Sequence, residues 1–518
     1  VDGPNLHPFA RHAVLDRRGF IVRAAVTAAA LGPAAALLGC SSGANSTAAS
    51  GSGSLPSLQY DPTQPYWMQG GFAPVAVESE AVDLSVTGSL PPELTGLYVR
   101  NGSNPASGPS PHWFLGDGMV HGVRFEAGRA TWYRNRYVDT PLYTSRSGLL
   151  GGGGAPGGAA NQSNVSVFHH AGRLLSSGEI GLPYEISTAD LTTIGPYDFG
   201  GALRTAMTAH PKIDPASGKL HFFGYGFVPP YLTYHVASAD GVLEHSEEVV
   251  VAGPTMIHDF AITDRDVVFW ELPVVFDLQA AMKAVAPESS APGGGLSGDG
   301  SQFPFRWDPS YGARVGIMPL GGPASAIRWI EIDPCYVFHG VNAHRVGDDV
   351  IVDVCRLPTM FRPGGDPGPN AIHRWTIDTS GPTLAFHDEV LSDEQMDLPS
   401  LDRRQTGRAH DNAWFLMVEP RDGFDIDFGG LSRMHTQSGS LDRYAPGAGY
   451  RMSEGCFVPT GKGTADGFLL SYAWDRARGA SDLVVLDAMD MAAGPIAQVH
   501  LPVRVPYGFH GTWVPQTI

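Results

Sequence analysis

The sequence is poor in cysteine, in basic charge and in long periodic segments, and each shortage removes a class of protein. Only four cysteines occur in 518 residues. With no Cys-x-x-Cys spacing, neither a disulfide framework nor a thiolate metal site is implied. Cys335, Cys355 and Cys456 sit in apolar runs and read as small core residues. Lys and Arg total 34 against 52 Asp and Glu, a formal net charge of −18, and no long basic run occurs. A phosphate backbone would be repelled, so nucleic acid is excluded as a partner. Helical periodicity is scarce, with Phe276 to Val285 the best short candidate. No repeat at a fixed period is visible, which argues against a WD40-type array. What the chain does have is 43% apolar residues, enough to bury a large core, and 65 Gly with 42 Pro, which suits tight turns better than helices.

The N-terminal segment reads as an address. Arg17 and Arg18 precede an Ala-rich apolar stretch that closes at Leu37, Leu38, Gly39 and Cys40. The pattern resembles a twin-arginine export signal ending in a bacterial lipobox. Arg23, Gly32 and Pro33 make the stretch too weakly apolar for a stable membrane span. Residues 1–40 are therefore expected to be the signal, with Cys40 lipidated. Residues 41–56, rich in Ser, Gly and Ala, are the expected flexible tether, and residues 57–518 the folded domain. The expected location is the cell envelope or periplasm, with a membrane tether through Cys40. The twin-arginine route carries folded proteins, so a metal could be loaded before export.

From about Ser57 onward the chain breaks into short strand-like runs: Lys219 to Tyr225, Asp266 to Glu271, Asp349 to Cys355, Gly467 to Trp474 and Asp482 to Asp487. They are β-branched or aromatic and bounded by Asp-Gly, Gly-Asp or Gly-Lys pairs, which marks hairpins. Gly151 to Gly158 and Gly294 to Ser301 read as loops. An all-β fold follows, and the pattern leaves a large barrel, tandem sandwiches or a propeller open.

Four of the 19 histidines stand out by context: His210, His258, His339 and His510, each beside an apolar or aromatic residue near a strand end. Their dispersal suits ligands converging on a central axis and does not suit a local His-x-x-x-His site on a helix. Neutral imidazoles would accept Fe(II), Zn, Cu or Ni, so the ligand type alone does not name a metal.

The strings Gly96 to Pro105 (GLYVRNGSNP), His112 to His121 (HWFLGDGMVH) and the four histidine contexts, in this order, resemble the carotenoid cleavage oxygenase family, which also contains lignostilbene-cleaving dioxygenases. The resemblance runs from about Ser89 to Pro515. It implies a seven-bladed β-propeller with a cap of loops and short helices over a central Fe(II) held by His210, His258, His339 and His510. His112, His121 and His344 do not occupy ligand positions of that pattern. It also implies acidic partners that fix the far ring N–H of the ligands: Glu179, Glu454 and, where the family usually has Glu, Asp397. A carboxylate in that role sets the tautomer and raises basicity. Aspartate is one methylene shorter, so its backbone must move inward or its bond weaken. Val165 falls where the family commonly has a threonine whose methyl crowds the iron.

The activity implied is Fe(II)-dependent oxidative cleavage of a conjugated C=C bond by O2, giving two carbonyl products. The protein's part is to position an apolar conjugated substrate beside the metal and keep water out. Stilbene cleavers of the family grip a phenol with a Tyr and a Lys. Tyr137 is a candidate for the first, but Ser145 to Gln162 contains no lysine. A carotenoid or apocarotenoid is therefore the expected substrate, with a stilbene as the alternative. A non-enzymatic, metal-containing propeller that binds a partner is the third expectation; it would require all coordination positions to be filled.

Overall fold

The computed structural model describes residues 60–516, apart from 62, 146–157, 285–302, 363–366, 421–425 and 462. The export signal with Arg17, Arg18 and Cys40, the tether at 41–56, and the glycine-rich stretches 151–157 and 294–301 lie outside the described residues.

Seven antiparallel sheets of four to six strands follow one another along the chain, with one extra two-stranded hairpin, and form a seven-bladed β-propeller. Blade 2 comprises Ser166–His170, Arg173–Ser177, Tyr184–Ile186 and Thr193–Pro196. Blade 3 starts at Lys212–Ile213, blade 4 at Ala261–Ile262, blade 5 at Tyr336–Val346 and blade 6 at Met396–Ser400. Blades 1 and 7 are composite. In blade 1, Gly96–Ser103 pairs on one side with Gly118–Glu126 and on the other with Gly511–Pro515 from the far end of the chain. In blade 7, Pro495–His500 pairs with Val86–Gly88. Two ladders therefore close the ring, one on each side of the junction between its ends.

Position within a blade explains the sequence patterns. Middle strands such as Leu220–Tyr225, Leu232–Ala237 and Asp266–Glu271 are buried at every residue, so they read as unbroken apolar and aromatic runs. Outer strands have one wet face, and Leu243–Glu248 alternates strictly between exposed and half-buried residues. Gly347 (φ +62°), between Tyr336–Val346 and Asp349–Leu357, supplies the left-handed backbone that a two-residue hairpin turn requires.

The largest apolar cluster spans blades 3 to 5, where Trp270 and Trp375 meet edge to face at 6.1 Å. The expected short helix is present at Leu278–Ala284, entered through Asp277, whose carboxylate accepts from the N–H groups of Gln279 and Ala280. Its first expected residue, Phe276, instead ends a strand: Val274–Phe276 pairs with Phe305–Trp307 in the extra hairpin. Phe276 stacks on Phe227 there at 4.0 Å, and that tertiary contact outweighs helical spacing.

Candidate metal centre

The four singled-out histidines are delivered by four blades. His210 lies just before the inner strand of blade 3, His258 just before that of blade 4, His339 within that of blade 5, and His510 immediately before Gly511–Pro515 in blade 1. Their facing ring nitrogens all lie within 4.8 Å of one another. Nε2 of His210 is 2.9 Å from that of His258, and Nε2 of His339 is 3.2 Å from that of His510. In blade 5 the pairing register slips between Val337 and Gly340, and again before Asn342. Such a bulge re-aims a side chain, here that of His339.

Three of the four rings are anchored from behind by the three other blades. His339 Nδ1 donates to Asp397 Oδ1 (2.7 Å) of blade 6, and His510 Nδ1 donates to Glu454 Oε1 (2.7 Å) of blade 7. His258 Nδ1 contacts Glu179 Oε1 of blade 2 directly. With Nδ1–H committed outward, each of these rings presents the lone pair of Nε2 inward. Burial pushes His210 and His258 well below the ordinary imidazole pKa, and the neighbouring histidines add to it, so both rings are neutral. Convergent lone pairs about 3 Å apart repel one another unless a cation sits among them. The donor set therefore fits a divalent metal, and four imidazoles suit iron as they suit its borderline neighbours.

The shorter acid sits in irregular backbone. Asp397 Oδ1 also accepts from the N–H of Leu398 (2.8 Å), Leu398 adopts φ +51°, and the ladder register shifts between Asp397 and Ser400. Asp397 keeps its 2.7 Å bond to His339 from this irregular stretch of strand. Val165 lies beside the cluster: its carbonyl accepts from the N–H of His510 (3.0 Å), and its half-buried side chain packs with the apolar group that includes Trp113 and Phe509. His121 is bonded to Tyr133, and His344 packs against His410; neither joins the four. His112 is apart from them as well, among aromatic rings.

Two contributors escape a reading of the sequence. Asp259, next to His258 and 1% exposed, takes Lys212 Nζ (2.8 Å) on one oxygen and the N–H of Gly340 (2.9 Å) on the other. One carboxylate thus ties together the segments that carry His210, His258 and His339. The second is Tyr225, whose hydroxyl donates to the free oxygen of Glu179 (2.7 Å). Tyr137, the candidate phenol-gripping residue, takes Asn104 Nδ2 on its own hydroxyl (2.6 Å) and stacks on Tyr143. Aromatic rings gather on the histidines: Phe338 meets His258 edge to face at 5.2 Å, and Phe114 bridges Phe338 (5.9 Å) and Phe509 (5.6 Å).

Residues 72–515 match the family described as retinal pigment epithelial membrane protein. A carotenoid cleavage oxygenase of Mycobacterium tuberculosis is 36% identical, over 89% of this chain and 100% of its own. The chain belongs to the carotenoid cleavage oxygenase family. A carotenoid 9,10(9',10')-cleavage dioxygenase of Crocus sativus is 32% identical over 88% of this chain and 90% of its own. Among solved structures, the lignostilbene dioxygenase of Pseudomonas brassicacearum superposes with a TM-score of 0.77 at 29% identity, covering 89% of this chain and 100% of that one. In this carotenoid cleavage oxygenase family member all seven blades supply a group to the centre, four as imidazoles and three as carboxylates.

Proposed function

We propose that this chain is an Fe(II)-dependent dioxygenase that cleaves a conjugated C=C bond of a carotenoid or apocarotenoid with O2. The observation that carries this is the set of four converging Nε2 atoms, three of them oriented by carboxylates. Fe(II) bound there would supply activation of O2 at coordination positions the imidazoles leave free. The protein's share is to keep His210 and His258 neutral by burial, to fix the tautomers of His258, His339 and His510 through Glu179, Asp397 and Glu454, and to present aromatic surface to an apolar alkene while excluding water.

Relatives named for carotenoid cleavage and for lignostilbene cleavage both resemble the chain. Tyr137 favours the first group, because its hydroxyl accepts from Asn104 (2.6 Å) and turns its own O–H to Val75 O (3.5 Å), inside the protein. The test is metal analysis of the purified protein together with O2 uptake on an apocarotenal and on a hydroxystilbene. Iron near one equivalent and O2-dependent aldehyde formation from the apocarotenal are expected. Turnover of the stilbene alone would reverse the substrate assignment, and a protein that neither contains nor takes up iron would end the enzymatic reading in favour of a binding propeller.

The export signal with Arg17 and Arg18 and the lipidation of Cys40 belong to the same proposal, supported by the sequence pattern. Among the described residues no helix is long and apolar enough to cross a membrane. Mass spectrometry of the mature N-terminus is expected to find a lipidated Cys40.

A further inference from the structure

His112 is 6% exposed, and the 3-10 turn Trp113–Leu115 begins at it. Its Nδ1 accepts the backbone N–H of Phe114 at 3.1 Å, which puts the ring proton on Nε2. Burial pushes its pKa down to about 3, so the ring stays a neutral N–H donor at working pH. The ring stacks on Phe303 at 4.4 Å and meets Phe114 edge to face at 4.7 Å. Phe114 in turn contacts Phe338, the ring against His258, and Phe509, the neighbour of His510. Among the described residues Nε2 of His112 has no hydrogen-bond partner, and it is not sealed in by its surroundings, so an incoming acceptor can reach it. A donor this deep in an aromatic wall, held by its other nitrogen, is suited to an acceptor that arrives with the substrate.

We propose that His112 Nε2–H is the specificity-determining donor for an oxygen atom at the end of the conjugated substrate, with the aromatic wall holding the polyene between that oxygen and the metal. This rests on the oxygenase reading and names what the same site recognises. An aldehyde oxygen of an apocarotenal and a phenolic oxygen of a stilbene share the required chemistry, that of a neutral acceptor on a conjugated apolar body.

The test separates the donor from the cap. His112→Asn keeps an oxygen where Nδ1 was, in a residue type that caps well, and removes the distal N–H. His112→Gln places an amide N–H near the distal position. Each variant is compared with the wild type on an apocarotenal, on the hydrocarbon of the same length without the oxygen, and on a hydroxystilbene. For H112N, KM for the apocarotenal is expected to rise about five- to tenfold while KM for the hydrocarbon and the bound iron stay unchanged. H112Q is expected to recover most of the aldehyde preference, and it stands as the test should H112N fail to fold. A selective loss on the stilbene instead would assign the same donor to a phenolic oxygen. Equal losses on all three substrates, or no change on any, would overturn the proposal. An inactive, iron-free wild type would instead defeat the oxygenase reading.

Discussion

At the residue scale the centre depends on which nitrogen of each ring carries the proton. For His258, His339 and His510 a carboxylate decides it, and Asp259 then holds the ligand segments of three blades in one place. Removing one imidazole leaves its carboxylate facing a void and deletes a quarter of the donor set. His258→Ala is therefore expected to lose the metal and to abolish turnover, by analysis of bound iron and product. His344 offers a control: it lies on the same strand as His339, yet packs against His410 and stands outside the cluster. His344→Ala is expected to retain full iron content, and iron loss in that variant would show that the ligand set has been misassigned.

At the element scale, the segment leading to His510 is clamped against blade 1 with almost no clearance. The N–H of Phe509 donates to Asn101 O (2.9 Å), and the N–H of Asn101 donates to His510 O (3.1 Å). Just ahead of these bonds Gly508 lies so close that a Cβ on it would come within 2.6 Å of Asn101 O and 3.0 Å of Gly102 Cα. Both contacts are backbone, which yields little. Gly508→Ala is expected to cost about 1–3 kcal/mol of stability and to lower metal affinity at least tenfold by displacing His510, checked by thermal melting and metal titration. An alanine variant that melts and binds iron like the wild type would contradict the clamp. Elements of this kind also mark how far the sequence could be read. The runs Asp266–Glu271 and Gly467–Asp475 announce themselves locally, because burial on both faces demands continuous β-branched and aromatic residues. His210, His258, His339 and His510 stand out by context, and it is the family resemblance of their strings that implies they meet, as their ring nitrogens do. The pairing of Gly96–Ser103 with Gly511–Pro515 has no local signature, since its partners are some 400 residues apart. Asp259 and Tyr225 were missed for a related reason: a lone Asp or Tyr beside a strand takes its meaning from groups on other blades.

At the scale of the whole molecule, the same burial that keeps His210 and His258 neutral extends to histidines elsewhere in the propeller. His221, His235 and His410 are each pushed down to about 4, with burial the leading cause. In the unfolded chain these rings titrate at the ordinary value of 6.5, so between that value and about 4 the unfolded state binds more protons and stability falls as pH falls. By about pH 5 each group has lost roughly 2 kcal/mol. A net charge of −18 works in the opposite direction, because protonation relieves repulsion among surface carboxylates. Those charges are exposed and screened within about 8–10 Å at ordinary ionic strength, so their share is of the order of 1 kcal/mol or less. Burial should win. The melting midpoint is expected to be nearly constant above about pH 7.5 and to drop by roughly 5 °C or more by about pH 5. Raising salt removes the surface contribution and leaves the buried one, so the drop should persist or deepen in high salt. A midpoint that rises on acidification, or a drop that vanishes in salt, would show that surface charge governs the acid stability of this propeller.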